Sequence, residues 1–204
     1  MENVISLVVF RIHEGKLVVL LENKRLLTSP IVDEKDLDDI AKHVFSTVTK
    51  IALHKNYIEQ LYTFFHKKAL PAGRQEKEIA VVYYILLPEN NIVLSENLVW
   101  QEVKSIGEGN SDFSIIAYAL QRLRWKIEYT NVVYSLLPEM FTLSELQKVY
   151  EIILGQSLDK RNFRKKILSL DFLKATNEKR ISNSRPAQMY RFKKREPQLI
   201  KIFS

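Results

Sequence analysis

Residues 141–191 limit what this chain can fold into more than any other stretch. Thr142 is followed three residues later by Glu145, the spacing of a capping box, so a helix starts there. Leu143, Leu146, Val149, Tyr150 and Ile153 recur at helical spacing and give that helix one buried stripe. Gly155 is placed to stop it. Ser157 is placed to cap a second helix over roughly residues 158–168, and on a helical wheel Phe163, Ile167 and Leu170 lie together. Lys160, Arg161, Asn162 and Lys165 are expected on its outer side, with Arg164 at the flank. Two β-compatible segments then enclose a polar loop at Asn183, Ser184 and Arg185. Helix, turn, basic helix and hairpin, in that order, make a winged helix-turn-helix, a fold that most often grips DNA.

The residue types suit that task. Arginine can donate two parallel bonds to guanine, asparagine can pair with adenine, and lysine neutralises phosphate. Lys160, Arg161, Asn162, Arg164 and Lys165 are therefore the candidates for the helix, and Lys179, Arg180 and Arg185 for the hairpin or wing. Charge is distributed to match. Residues 1–119 hold 13 Lys/Arg against 16 Asp/Glu, a net of −3, whereas residues 120–204 hold 18 against 8, a net of +10. Only the C-terminal part is built to meet a polyanion. A winged helix used for protein contact, its charges merely solvated, is the competing interpretation.

The rest of the chain is a mixture of strands and helices. Residues 4–22 form two β-rich runs around a Glu14-Gly15 turn, which implies a hairpin. Leu37, Ile40, Ala41, Val44, Phe45 and Val48 mark a helix over residues 36–50. Residues 57–65 and 79–87 are β-branched and aromatic, hence strands, with Pro71 and Gly73 in the loop between them. Ser111 or Asp112 should cap a long helix ending near Lys126, with Ile115, Ile116, Ala119, Leu120 and Leu123 on its inner side. The expected division is residues 1–128 and residues 129–204.

Composition excludes several classes. With no cysteine, disulfides, thiolate metal sites and cysteine nucleophiles are ruled out, and His13, His43, His54 and His66 lack the spacing of a zinc site. No apolar run approaches the roughly 20 residues of a membrane helix. The first residues lack the basic flank and cleavage site of a signal peptide, so a cytoplasmic protein is expected.

Six runs together resemble one family. They are residues 59–64 (Glu-Gln-Leu-Tyr-Thr-Phe), 119–129 (Ala-Leu-Gln-Arg-Leu-Arg-Trp-Lys-Ile-Glu-Tyr), 137–139 (Leu-Pro-Glu), 141–147 (Phe-Thr-Leu-Ser-Glu-Leu-Gln), 159–167 (Asp-Lys-Arg-Asn-Phe-Arg-Lys-Lys-Ile) and 185–192 (Arg-Pro-Ala-Gln-Met-Tyr-Arg-Phe). The chain resembles the Nudix-related transcriptional regulators, including those of the NrtR type and the sugar-responsive AraR type. The resemblance implies an α+β protein: a Nudix-like α/β/α sandwich with a mixed sheet, then a winged helix-turn-helix. It also implies a homodimer, usually a repressor, whose first domain senses a metabolite.

Nudix hydrolases carry G-x5-E-x7-R-E-U-x-E-E-x-G-U, whose glutamates hold the divalent ion that activates water. The corresponding stretch here is residues 27–50, with Lys42 and His43 at the Arg-Glu pair and Ser46 and Thr47 at the Glu-Glu pair. No glutamate lies between Glu34 and Glu59, and the glycines are missing too. Asp33, Glu34, Asp36, Asp38 and Asp39 crowd the helix start, where they favour the positive end of its dipole. Neither a metal, nor a cofactor, nor hydrolysis is therefore expected, an active hydrolase with an appended winged helix being the alternative. Family members sense ADP-ribose-type nucleotides or sugars such as L-arabinose, and the eroded motif favours the sugar. Polar side chains among apolar strands, Glu22, Arg25, Tyr62, His66, Tyr83 and Tyr84, are the candidate pocket. The family's Asp-His pair before the long helix is Asp112-Phe113 here, so the role of that histidine does not transfer.

Overall fold

Strand β1 (Glu2–His13) is buried without interruption from Val4 to Arg11, and β2 (Lys16–Glu22) from Leu17 to Leu21. Such runs do not alternate because both faces of the sheet are covered. Glu14 (φ 49°) and Gly15 (φ 74°) turn the chain between them through two left-handed residues, as a tight hairpin requires. The computed structural model describes residues 2–31, 36–53, 56–69, 75–89, 95–181, 186–200 and 202, with the side chains of 66–69 and 75–76 outside the description.

The elements continue as β3 (Leu27–Pro30), α1 (Leu37–Thr49), β4 (Tyr57–Ala69), β5 (Gln75–Leu87), β6 (Leu98–Glu102) and α2 (Phe113–Tyr129). The sheet runs in the order β4-β5-β1-β2-β6, and β3 pairs antiparallel with the start of β1, Val4 opposite Pro30 and Leu7 opposite Leu27. Alternation along β5 defines two layers. Tyr83 reaches Asp38 on α1, whereas Tyr84 lies on the side where Tyr62 and Phe64 of β4 meet Tyr118 of α2. The result is an α/β/α sandwich. Helix α1 is held at its start by Asp36, whose side chain accepts the Asp38 N–H at 2.8 Å, and at its end by Lys50 in a left-handed conformation.

Two expectations need amendment. Strands β4 and β5 extend well beyond 57–65 and 79–87, because the hairpin pairs on to Ala69 and Gln75 past the apolar signal. Strand β6 had no signal of its own: it is short, and only Leu98 in it is buried. The Pro71-Gly73 loop lies outside the described residues.

Contacts group residues 2–10, 18–86 and 91–119 as one unit, and 11–17, 87–90 and 120–204 as the other. In the second, the end of α2 leads through a 3-10 turn (Val132–Leu136) to β7 (Phe141–Thr142), α3 (Leu143–Leu154), α4 (Lys160–Ser169), β8 (Leu173–Arg180) and β9 (Ala187–Phe192), with sheet order β7-β9-β8. The capping box forms: Thr142 Oγ1 accepts the Glu145 N–H at 3.2 Å, and the Glu145 carboxylate accepts the Thr142 N–H at 2.8 Å. Gly155 closes α3 at φ 74°. Phe192 is the centre of the winged-helix core, with Phe141 and Phe172 at ring-centroid distances of 4.9 and 5.8 Å.

The cap of α4 is Asp159, not Ser157. Its carboxylate accepts the Asn162 N–H at 2.7 Å, so the helix begins two residues later than expected. Leu158 is drawn the other way, its N–H donating to Glu151 Oε1 at 3.0 Å and its carbonyl accepting from Gln147 Nε2 at 2.9 Å.

Candidate nucleic-acid interface and ligand pocket

Helix α4 has two unlike sides. Phe163 and Ile167 are buried, the former against Tyr150 of α3 at 5.4 Å between ring centroids. Arg161, Asn162 and Lys165 are exposed on the outer side, and Lys160 is exposed at its first position. Arg164 differs from the other cations of this group. It is half-buried, and its guanidinium donates to Ser144 Oγ at the start of α3 at 3.0 Å. A side chain so tied sits at the flank of α4, on the side facing α3, and is a poor reader of bases.

In the hairpin, Lys179 is exposed and pairs in register with Gln188, beyond an irregularity after Ala175. Arg180 forms an ion pair with Glu145, the capping glutamate of α3. Its charge is thus partly committed within the fold. Arg185 lies outside the described residues. Met189 and Phe192 of the returning strand are buried.

In the first unit the six pocket candidates do not converge. Tyr83 and Tyr84 are both buried, on opposite faces, because β5 is an interior strand covered on each side. The Tyr83 hydroxyl donates to Asp38 Oδ1 at 2.6 Å, and burial first, then that carboxylate, raise its pKa well above the ordinary tyrosine range. Tyr84 donates to Glu59 Oε2 at 2.8 Å, with Tyr57 donating to the same oxygen, and its pKa is likewise raised, chiefly by burial. Both are structural. Tyr62 is 58% exposed, in an aromatic group with Phe64 and Tyr118. Glu22 accepts from Asn97 Nδ2 at 2.6 Å, and the side chain of His66 is outside the description.

Arg25 lines two neighbouring cavities. It sits between a cleft of about 570 Å³, walled by Lys24, Gln101, Ser105, Asn110 and Ser111, and a smaller cavity of about 170 Å³ walled by Ser6, Thr28, Glu78, Asp112 and Ile115. Its guanidinium is held by Asp112 through Nε to Oδ2 at 2.9 Å and a second nitrogen to Oδ1 at 3.2 Å. The same Oδ2 accepts the Leu26 N–H at 2.8 Å. Sequence reasoning missed most of this wall. Its one signal was the run from Gly107 to Ser111, whose two glycines with Asn110 mark a loop entering a helix.

Helix α1 does not suit a divalent ion. Lys42, His43, Ser46 and Thr47 stand where the motif would put its arginine and glutamates. Ser46 donates to the His43 carbonyl at 3.0 Å, and Lys42 pairs with Asp39 at 3.4 Å. Among the described residues no three side chains of the kinds that ligate a metal come together there, whereas hard divalent ions gather several oxygen ligands.

Residues 133–192 match the model of the NrtR DNA-binding winged helix domain. The chain is 29% identical to the ADPR responsive transcriptional repressor NtrR of Acinetobacter baylyi, across 92% of this chain and 80% of that one. It is 26% identical to NrtR of Shewanella oneidensis, whose crystal structure was determined with a 27mer DNA, with a TM-score of 0.77 over 94% of this chain and 93% of that one. Residues 133–192 thus carry an NrtR-type winged helix, and over most of its length the chain is similar to Nudix-related regulators of the NrtR type. A MutT/nudix family protein from Enterococcus faecalis, 20% identical with a TM-score of 0.73 over 95% of this chain and 88% of that one, shares the fold. The α/β/α sandwich is thus Nudix-like, and the C-terminal domain is an NrtR-type winged helix.

Proposed function

We propose that this chain is a cytoplasmic transcriptional repressor that binds operator DNA through α4 and the wing, under control of a nucleotide held by its Nudix-like domain. The observation that carries the reading is the exposed side of α4. Arg161, Asn162 and Lys165 project opposite a fully packed apolar side, in the one domain with a strong positive charge. Arg161 and Asn162 are assigned to base edges, Lys165 and Lys179 to phosphates, and Arg180 and Arg185 to reinforcement from the wing. A homodimer presents two such helices to two half-sites about one helical turn apart.

For the effector, the Arg25 cleft is the favoured seat. Lys24 and Arg25 supply cations, and Gln101, Ser105, Asn110 and Ser111 supply neutral hydrogen-bonding groups. That mixture suits a phosphorylated sugar better than a neutral one, and the Acinetobacter relative is named for ADP-ribose. An ADP-ribose-type nucleotide therefore replaces L-arabinose as the preferred effector. Asp112, which holds Arg25, immediately precedes α2, and the last turns of α2 belong with the winged helix. Ligand that alters the Arg25–Asp112 pair has a direct covalent route to the DNA-binding part, provided it binds the two arrangements unequally.

The domain senses without cutting. Thermal-shift titration of the full chain with ADP-ribose and with L-arabinose tests the effector, since a ligand of the native state raises Tm. ADP-ribose should raise Tm, and Arg25→Ala should abolish the rise. A shift with L-arabinose alone would reinstate the sugar.

A further inference from the structure

Four of the five cations of α4 fall into two pairs, each four residues apart, Arg161 with Lys165 and Lys160 with Arg164, and Lys166 stands apart from both. The first pair faces outward. The second lines a cleft of about 590 Å³ inside the winged helix, whose other walls are Thr142, Leu143 and Ser144 at the start of α3 and Pro186, Ala187, Gln188 and Tyr190 of the returning wing strand. We infer that this cleft is a seat for a single backbone phosphate of the duplex, held by Lys160 and Arg164, and that α4 thereby divides its work: one flank reads bases while the other fixes the strand.

Three observations converge. First, Arg164 is held in place but not satisfied. One guanidinium nitrogen donates to Ser144 Oγ at 3.0 Å, whereas Nε is buried and has no hydrogen-bond partner among the described residues. A guanidinium has five donors and matches phosphate oxygens with two at once, so an arginine in the cleft wall with one nitrogen on Ser144 keeps donors to offer an anion. Second, the described lining carries no carboxylate. The acids nearest in sequence are occupied elsewhere: Glu145 by its own N-cap and by Arg180, and Asp159 by the Asn162 N–H. The lining thus offers an anion two cations, and the carboxylate beside it, Glu145 on the wall residue Thr142, is paired with Arg180. Third, the N–H groups of Leu143 and Ser144 belong to the first turn of α3, where a helix offers them no acceptor and its dipole favours negative charge. Each feature alone has a structural explanation; together they describe an anion seat beside the groove-facing side of α4.

The inference rests on the DNA-binding reading above, and the experiment separates the two. Full-length wild type, Arg164→Ala, Arg164→Lys and Arg161→Ala are titrated with a random-sequence duplex and with a duplex selected by wild type from a randomised library. Each titration is run over a series of salt concentrations. Loss of one phosphate contact lowers the slope of log K against log salt by about 0.9. Arg164→Ala should therefore weaken both duplexes by a similar factor and flatten the slope by about one counterion, and Arg164→Lys should restore the slope. Arg161→Ala should weaken chiefly the selected duplex. An Arg164→Ala effect confined to the selected duplex, with an unchanged slope, would make Arg164 a base reader and overturn the seat while leaving the regulator reading intact. Unchanged affinity for both duplexes would overturn it as well. Wild type that binds neither duplex would sink the regulator reading itself.

Circular dichroism and Tm of each variant guard against misfolding, with Arg164→Lys as the variant that keeps the Ser144 side filled. Inorganic phosphate alone, at matched ionic strength, distinguishes a free anion from a strand. A rise in wild-type Tm that Arg164→Ala abolishes, combined with unchanged DNA binding by that variant, would assign the cleft to a free anion instead.

Discussion

Asp112 carries three hydrogen bonds on one buried carboxylate, two from the Arg25 guanidinium and one from the Leu26 N–H, across 87 residues of sequence. The carboxylate is 6% exposed and the arginine side chain 46%, so the pair has a dry end and a wet end. Its energy is accordingly less than that of a fully buried pair. Asp112→Ala, which strands the Leu26 N–H as well, should cost about 2 kcal/mol, and Asp112→Asn should cost less because its carbonyl still serves that N–H. Urea denaturation at neutral pH measures both. Equal losses would mean that the charge contributes nothing beyond the shared hydrogen bond.

Glu151 gives the winged helix a pH dependence. The Leu158 N–H first, then the Gln147 amide, hold its carboxyl below the ordinary value of 4.5. A lowered folded pKa means that the stabilisation is complete above the ordinary value and is lost as pH falls through the lower one. The group is largely solvated, so Glu151→Gln should cost under about 1 kcal/mol at pH 7, with wild type and variant converging in acid. Thermal melts across about pH 3–7, a range that brackets that ordinary value, decide it. A gap that persists at the acid end would contradict the assignment.

Magnesium-dependent turnover is not expected. The described acids at the start of α1 have structural tasks: Asp36 caps the helix, Asp38 accepts from Tyr83, and Asp39 pairs with Lys42. Incubating the protein with ADP-ribose and magnesium should release neither AMP nor ribose phosphate above a blank without protein. Measurable release that scales with protein concentration would restore the hydrolase reading.

The DNA-binding half was far more legible in the sequence than the sensing half, for a physical reason. A capping box, a left-handed glycine and a helix with one apolar side are local signals, and Thr142, Gly155 and the Phe163–Ile167 pair read true because each acts within a few residues of itself. Even there the competition between Ser157 and Asp159 for the cap was decided by Glu151 and Gln147, residues on the preceding helix. Arg164 shows the same limit: its wheel position is a flank, and only Ser144, twenty residues earlier, shows which way it leans. The pocket is a long-range object. Arg25 meets Asp112 across the fold, and nothing near either residue announces the other. Tyr83 and Tyr84 attracted attention as polar groups among apolar ones, but their hydroxyls are consumed by Asp38 and Glu59. A buried tyrosine with a satisfied hydroxyl looks the same in sequence as one that waits for a ligand.

The most direct test is equilibrium binding of the full chain to a labelled random-sequence duplex over a range of salt, followed by wild type against Arg161→Ala on a selected duplex. A steep fall in affinity with salt is expected, together with a loss of about 1–3 kcal/mol in the variant on the selected duplex. Binding that ignores salt, or an Arg161→Ala variant indistinguishable from wild type on both duplexes, would contradict the placement of α4 in the groove.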